Sequence, residues 1–169
     1  MKIAVIGYSG SGKSTLARKI AERLGIEVLH IDTVQFLPDW AIRPQEEKEA
    51  IVREFLDTHD AWVIDGNYSK LSYERRMEEA DIIIEMLFPR MVSLFRVIKR
   101  YIRYRNTSRP DMAQGCNEKV DLEFVKWVLW KGRSRTSKGR YLELQRRYPH
   151  KTFVVKNSRQ VREIEKRFL

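Results

Sequence analysis

The sequence predicts an α/β protein built on an open five-stranded parallel sheet with helices on both faces. Three observations predict it. Five short apolar runs recur at 2–7, 26–31, 61–65, 81–87 and 151–156. Stretches of helical spacing separate each run from the next, as the crossovers between parallel strands require. The run DIIIEML at 81–87 is almost continuously apolar, the pattern of a strand covered on both faces.

Taken in order, KIAVIG (2–7) is the first strand. From Lys13 to Leu24, residues Leu16, Ala17, Ile20 and Leu24 share one helical face, and Gly25 is the expected C-terminal cap. IEVLHI (26–31) is the second strand. QEEKEAIVREFLDT (45–58) is an amphipathic helix with Ala50, Ile51 and Phe55 on one side. AWVID (61–65) is the third strand, broken by Gly66-Asn67, and a helical pattern returns at 71–80. After the fourth strand, Pro89 opens a long helix to about Arg105. Met91, Phe95, Ile98 and Ile102 line one of its faces, and Arg96, Arg100 and Arg103 another. The polar stretch NTSRPDMAQGCNEK reads as a loop. Helices follow at roughly 120–131 and 136–148. KTFVVK (151–156) is the fifth strand, and a last helix runs from about Arg159 to the end.

A chain of 169 residues suits one domain, and 43% hydrophobic residues is a globular composition rather than a disordered one. The lone Cys116 excludes an internal disulfide framework and fits a reducing compartment, so the cytoplasm is expected. No stretch approaches the roughly 18 apolar residues of a membrane span, and no membrane partner is expected. The net charge is +10. Between Arg90 and Arg140 there are 14 Lys/Arg against 4 Asp/Glu, while the rest of the chain holds 19 of each. The whole excess lies in one segment, which favours polyanionic partners.

The sharpest signal is Gly7-x4-Gly12-Lys13-Ser14, between a strand and a helix. Glycines permit positive φ and keep side chains away from a ligand. The loop then turns its N–H groups inward as an anion nest, and the following helix N-terminus adds to it. Gly7, Ser9, Gly10, Ser11, Gly12, Lys13, Ser14 and Thr15 are the candidate nucleotide-binding residues. Lys13 is expected at the β and γ phosphates and Ser14 on Mg²⁺. The expected cofactors are therefore ATP and Mg²⁺.

Asp32 and Asp65 close apolar strands at the same edge. Either carboxylate suits Mg²⁺ or acceptance of a proton from an attacking hydroxyl, and sequence does not divide these roles.

With the glycine loop, LHIDTVQFLPDW, WVIDGNY and RPDMAQG in view, the chain resembles the nucleoside-monophosphate-kinase type of P-loop protein, with adenylate and shikimate kinases as relatives in style. By pattern it is similar to a bacterial group labelled DNA topology modulation (FlaR-like) proteins, along essentially the full chain. The resemblance implies a substrate-binding segment at 33–60 and a basic helical lid at about 100–140. Phe36, Trp40 and Arg43 are then candidates for stacking on a ring and holding an anion, with local packing as the alternative for all three. Asp65, Gly66 and Asn67 complete the acceptor side. Asn67-Tyr68 departs from the aromatic-proline pair of adenylate kinases, which counts against a nucleoside-monophosphate acceptor. Arg100, Arg133 and Arg135, with Arg103 beside Arg100, are the implied clamp on the transferring phosphate. Asn157 is expected near the adenine ring.

These features point to a phosphotransferase acting on a small acceptor. The alternative is a nucleotide-binding regulatory protein, or one that binds nucleic acid through aromatic-basic stretches such as KRYIRYR, although no nucleic-acid-binding signature appears. Oligomeric state does not follow from the sequence.

Overall fold

The computed structural model describes residues 1–105, 107, 109, 111–113 and 115–168. Its strands are β1 (Lys2–Gly7), β2 (Glu27–His30), β3 (Trp62–Asp65), β4 (Ile82–Met86) and β5 (Thr152–Val155). They form one sheet in the order β2-β3-β1-β4-β5, every pair parallel. The helices are α1 (Lys13–Leu24), α2 (Ile31–Gln35), α3 (Gln45–Thr58), α4 (Tyr73–Glu79), α5 (Arg90–Tyr104), α6 (Leu122–Leu129), α7 (Arg135–Arg147) and α8 (Ser158–Lys166).

β1 lies in the middle, and Ile3, Ala4, Val5 and Ile6 are all buried, which explains its unbroken apolar run. α1 and α8 cover one face of the sheet through Leu16, Ala17, Ile20 and Ile164. α2, α3, α4 and α7 cover the other through Val34, Val52, Leu56, Met77 and Leu144. The chain leaving β1 turns to the first face and the chain leaving β3 to the second. Their divergence opens a crevice beyond the carboxyl ends of β1 and β3, where open α/β sheets hold ligands. The register sets His30 beside Asp65, and Asp65 beside Val5, at that edge.

Two local features differ from the sequence expectation. β2 ends at His30, and Asp32 lies in the first turn of α2 rather than at a strand end. Ile31 and Val34 are buried at helical spacing, and Thr33 Oγ1 donates to the His30 carbonyl at 2.7 Å. In α5 the two faces are separate as expected, but the apolar one faces solvent. Its buried side consists of Ser93 and Val97. Both are small enough to pack on the glycine loop, where a side chain on Gly10 would put Cβ 2.6 Å from the Ser93 carbonyl oxygen.

Glu85, in the middle of β4, is fully buried. Its Oε2 accepts from Gln145 Nε2 at 2.6 Å, and Oε1 has no hydrogen-bond partner among the described residues. Burial pushes its carboxyl up to about 7, against an ordinary value of 4.5. The folded protein therefore holds this proton more tightly than the unfolded chain does, and stability falls as pH rises from about 4.5 through about 7. The loss is at most roughly 3 kcal/mol. Urea unfolding at about pH 5 and about pH 8 is expected to show this slope in the wild type and a flatter one in Glu85→Gln. Parallel slopes in the two proteins would rule out Glu85 as its source.

Candidate active site

The glycine loop follows β1 directly. Gly7 has φ +139°, and a Cβ there would lie 2.3 Å from the Met86 carbonyl oxygen. Gly10 has φ +75° with its own close approach to α5. These two positions exclude side chains by contact as well as by conformation. Gly12 is the N-cap of α1. Ser11 is buried, and its carbonyl accepts from Arg96 Nη1 at 2.6 Å. Trp127 Nε1 donates to Ser9 Oγ at 3.2 Å, and Thr15 is exposed. Lys13 Nζ donates to the Tyr8 carbonyl at 3.1 Å, so its ammonium lies folded over the loop. Burial lowers its pKa, opposed by the charges of Asp65 and Asp32.

Both carboxylates act on the charge of this lysine and have different partners. Asp65 Oδ2 accepts from Ser14 Oγ at 2.8 Å, and its Oδ1 forms a very short contact with His30 Nδ1. Burial alone would lower the His30 pKa, but the hydrogen bond and charge of Asp65 outweigh it and raise the ring. Asp32 Oδ1 accepts from the Tyr68 hydroxyl at 2.7 Å. Burial, then the charge of Asp65, hold the Asp32 carboxyl above its ordinary range. The Tyr68 hydroxyl is pushed far up by burial and by Asp32.

Arg100 reaches the site from α5. Its Nε and Nη2 lie 2.8 and 2.7 Å from Glu118 Oε1. Arg109 Nε lies 2.6 Å from the other Glu118 oxygen, and Arg109 Nη1 donates to Asp111 Oδ2 at 2.9 Å. Both guanidinium charges help depress the Lys13 pKa. Asp111 is close enough to His30 and Ser14 for both to help hold its carboxyl low, with Arg109 contributing most against the cost of burial.

Arg133 is elsewhere. It is buried, and Nε, Nη1 and Nη2 donate to the Val128 carbonyl, the Phe88 carbonyl and Ser93 Oγ at 2.8, 2.7 and 2.9 Å. Its guanidinium stacks 4.0 Å above the Tyr8 ring. It braces the loop from behind rather than clamping a phosphate from above. Arg135, at the start of α7, and Arg103 are exposed, so of the four arginines expected at the clamp Arg100 is the one paired with Glu118, where Arg109 joins it.

The family model for the AAA domain, AAA_33, matches residues 3–90, just over half of the chain. The chain belongs to this family. The matched stretch of this AAA domain holds the glycine loop, Asp32 and Asp65, and it ends where α5 begins, so Arg100 and Arg109 lie outside it. An adenylate kinase from Mycolicibacterium vanbaalenii is 30% identical over 118 residues, 59% of this chain and 62% of that protein. The chain thus spans less than two thirds of the length of that curated relative. In fold it is similar to shikimate kinase from Acinetobacter baumannii in complex with shikimate, with TM-score 0.58, 18% identity, and 98% and 89% of the two chains covered. It is also similar to deoxyadenosine kinase from M. mycoides, with TM-score 0.52, 16% identity, and 99% and 98% covered. These likenesses establish the fold shared with such kinases.

Within residues 33–60, Phe36 and Trp40 pack edge to face with centroids 5.2 Å apart. Trp40 Nε1 donates to the Asn117 carbonyl at 3.1 Å, and Lys119 sits 5.3 Å over its ring. Trp40 therefore joins the 33–60 segment to the stretch that carries Asn117 and Lys119. A cleft of about 430 Å³ opens there, lined by Trp40, Tyr101, Glu118 and Lys119 among others. Arg43 turns away from it: Nε donates to the Val34 carbonyl at 3.0 Å and Nη1 lies 3.8 Å from Glu47. Gly66 is pressed on Ile31, where a Cβ would lie 2.7 Å from the isoleucine Cβ. Asn67 accepts from the Gly7 N–H at 2.9 Å and donates to the Gly7 carbonyl at 2.5 Å, so it fastens the loop to β3 instead of facing an acceptor. Asn157 is exposed and caps α8 by accepting from the Gln160 N–H at 3.0 Å. Within the RPDMAQG stretch, Pro110 and Gln114 lie outside the described residues.

Among the described residues, no three His, Cys, Asp or Glu side chains gather into a cation site. Ser14 Oγ and Asp65 Oδ2, 2.8 Å apart, are hard oxygen donors side by side. That pair fits Mg²⁺, which binds few protein ligands and keeps waters and phosphate oxygens for the rest of its shell.

His30, Tyr68, Arg109, Asp111 and Glu118 were not foreseen. His30 and Tyr68 are identified by partners distant in sequence, Asp65 and Asp32, and Arg109, Asp111 and Glu118 by their ion pairs with one another.

Proposed function

We propose that the protein is an ATP- and Mg²⁺-dependent phosphotransferase that moves the γ-phosphoryl group to a hydroxyl of a small acceptor. The observation that carries this reading is the side-by-side placement of two differently held carboxylates at the glycine loop, Asp65 on Ser14 and Asp32 on Tyr68. The loop N–H groups and the N-terminus of α1 would hold the β and γ phosphates, with Lys13 moving from the Tyr8 carbonyl onto their oxygens. Ser14 and Asp65 would hold Mg²⁺, which when bound neutralises charge on the phosphates. Asp32, its pKa raised by burial, is the better proton acceptor of the two roles. The acceptor oxygen forms its bond to the γ phosphorus, the bond to the β-phosphate oxygen breaks, the hydroxyl proton passes to Asp32, and ADP leaves. Arg100 and Arg109, released from Glu118, would stabilise charge on the equatorial oxygens.

The arginines between β2 and β4 bear on the acceptor. Arg43 is held by Val34 and Glu47, Arg53 lies beside Glu49, and Arg75 beside Asp57 and Glu79. Arg76 is fully buried on the carbonyls of Leu71, Gly66 and Tyr68. This supports an acceptor without a phosphate group of its own. A panel of nucleoside monophosphates, nucleosides, sugars and polyols, assayed with ATP and Mg²⁺ for ADP formed, tests both parts. Turnover is expected with an unphosphorylated hydroxyl compound. Turnover with a nucleoside monophosphate instead would remove the acceptor assignment alone. ADP no higher than in acceptor-free controls across the panel would remove the kinase reading. The nucleic-acid alternative predicts tight single-strand binding with a steep salt dependence.

A further inference from the structure

The outer face of α5 is unused by the site. Met91, Phe95, Ile98 and Ile102 recur at spacings of four, three and four residues and are 68%, 67%, 43% and 71% exposed. A helix normally turns such a stripe to the core, whereas α5 buries its opposite side, Ser93 and Val97. Lys99 and Arg103 are exposed along one flank of the stripe, and the helix sequence, RMVSLFRVIKRYIRY, contains no acid. We propose that α5 docks on an anionic lipid surface, lying in the plane of the interface with the stripe inserted and Lys99 and Arg103 at the headgroups.

Charge and area select this occupant. In an antiparallel two-fold pairing of α5 with a second copy, the Lys99–Arg103 flank meets the same flank of its partner, and the like charges repel. The helix is about 22 Å long, so one face of about 10 Å width offers roughly 220 Å². A stable protein complex needs about 800 Å² per partner. A lipid surface needs no matching relief, and its negative headgroups complement the cationic flank. Among the described residues, no helix is long and apolar enough to cross a membrane, so the mode is in-plane. The expectation of no membrane partner rests on the lack of a spanning stretch, and docking by one helix face does not require one.

The test is co-flotation of the full chain with vesicles of phosphatidylcholine alone and with vesicles containing about one third phosphatidylserine. Binding is expected only to the second, weakening as salt is raised. Phe95→Asp combined with Ile102→Asp is expected to lower the bound fraction at least about tenfold, with no shift in unfolding temperature because both side chains are exposed. Equal or absent binding to the two vesicle types would overturn the proposal. So would a dimer in sedimentation that the same double substitution dissociates.

Discussion

Lys13→Ala is expected to lower phosphoryl transfer by on the order of 10³-fold, about 4 kcal/mol in the transition state, while the unfolding temperature stays nearly constant. The side chain donates to a single backbone carbonyl, that of Tyr8, and burial already disfavours its charged form. Its removal therefore costs the fold little, since no opposite charge loses a direct partner. Phosphoryl transfer, by contrast, loses a cation at the loop where negative charge gathers on the β and γ oxygens. Lys13→Met, which keeps the stem and removes the charge, is expected to behave alike. Steady-state ADP formation and thermal unfolding on the same preparations decide the matter. Turnover within a few-fold of wild type in either variant would mean that the loop lysine does not serve this chemistry.

Most of the scaffold was legible from periodicity. β1, α1 and α3 fall on the residues predicted, the other strands and longer helices differ by one or two at their ends, and the last helix stops at Lys166 rather than running to the end. The exception between 31 and 40 has a physical cause. HIDTV looks like a continuing strand because its β-branched residues dominate, yet Ile31 and Val34 take helical spacing to reach the core. The glycine loop was legible because its constraint is local: backbone contacts at Gly7 and Gly10 leave no room for a side chain. The outward stripe of α5 was not. Amphipathicity shows that two faces differ, and it does not show which one meets the protein. Here the small residues Ser93 and Val97 face the loop.

The roles of polar residues were legible only in part. Asp32 and Asp65 were equivalent in sequence, and their separate partners, Tyr68 and Ser14, distinguish them in space. Asn67 was placed on the acceptor side, whereas its two bonds to Gly7 make it a fastening between β1 and β3. Buried arginines were the hardest case. Arg76 and Arg133 look like any others in a basic chain, but carbonyls and a hydroxyl distant in sequence take up their donors.

That distinction between a bracing and a clamping arginine gives the second large prediction. Arg133→Ala is expected to destabilise the protein by about 3–4 kcal/mol, roughly 10 °C in unfolding temperature for a chain of this size. The substitution leaves the carbonyls of Val128 and Phe88 and Ser93 Oγ without this donor, and it strips the cation from the Tyr8 ring. Tyr8 also packs edge to face on Tyr141, with centroids 5.4 Å apart, so the loss reaches both the loop and α7. Arg133→Lys is not expected to rescue, because an ammonium on a flexible stem cannot reproduce three donors in one plane. Arg100→Ala is the counterpart. Its direct ion-pair partner is Glu118, and Arg109 remains beside that carboxylate when Arg100 is gone. It is therefore expected to reduce turnover by on the order of 10²-fold with only a small change in unfolding temperature. Measuring both quantities on both variants separates the two roles. If Arg133→Ala kept its unfolding temperature and lost turnover, the clamp would lie on the lid side of Tyr8, and its bonds to Val128, Phe88 and Ser93 would have to be dispensable to the fold.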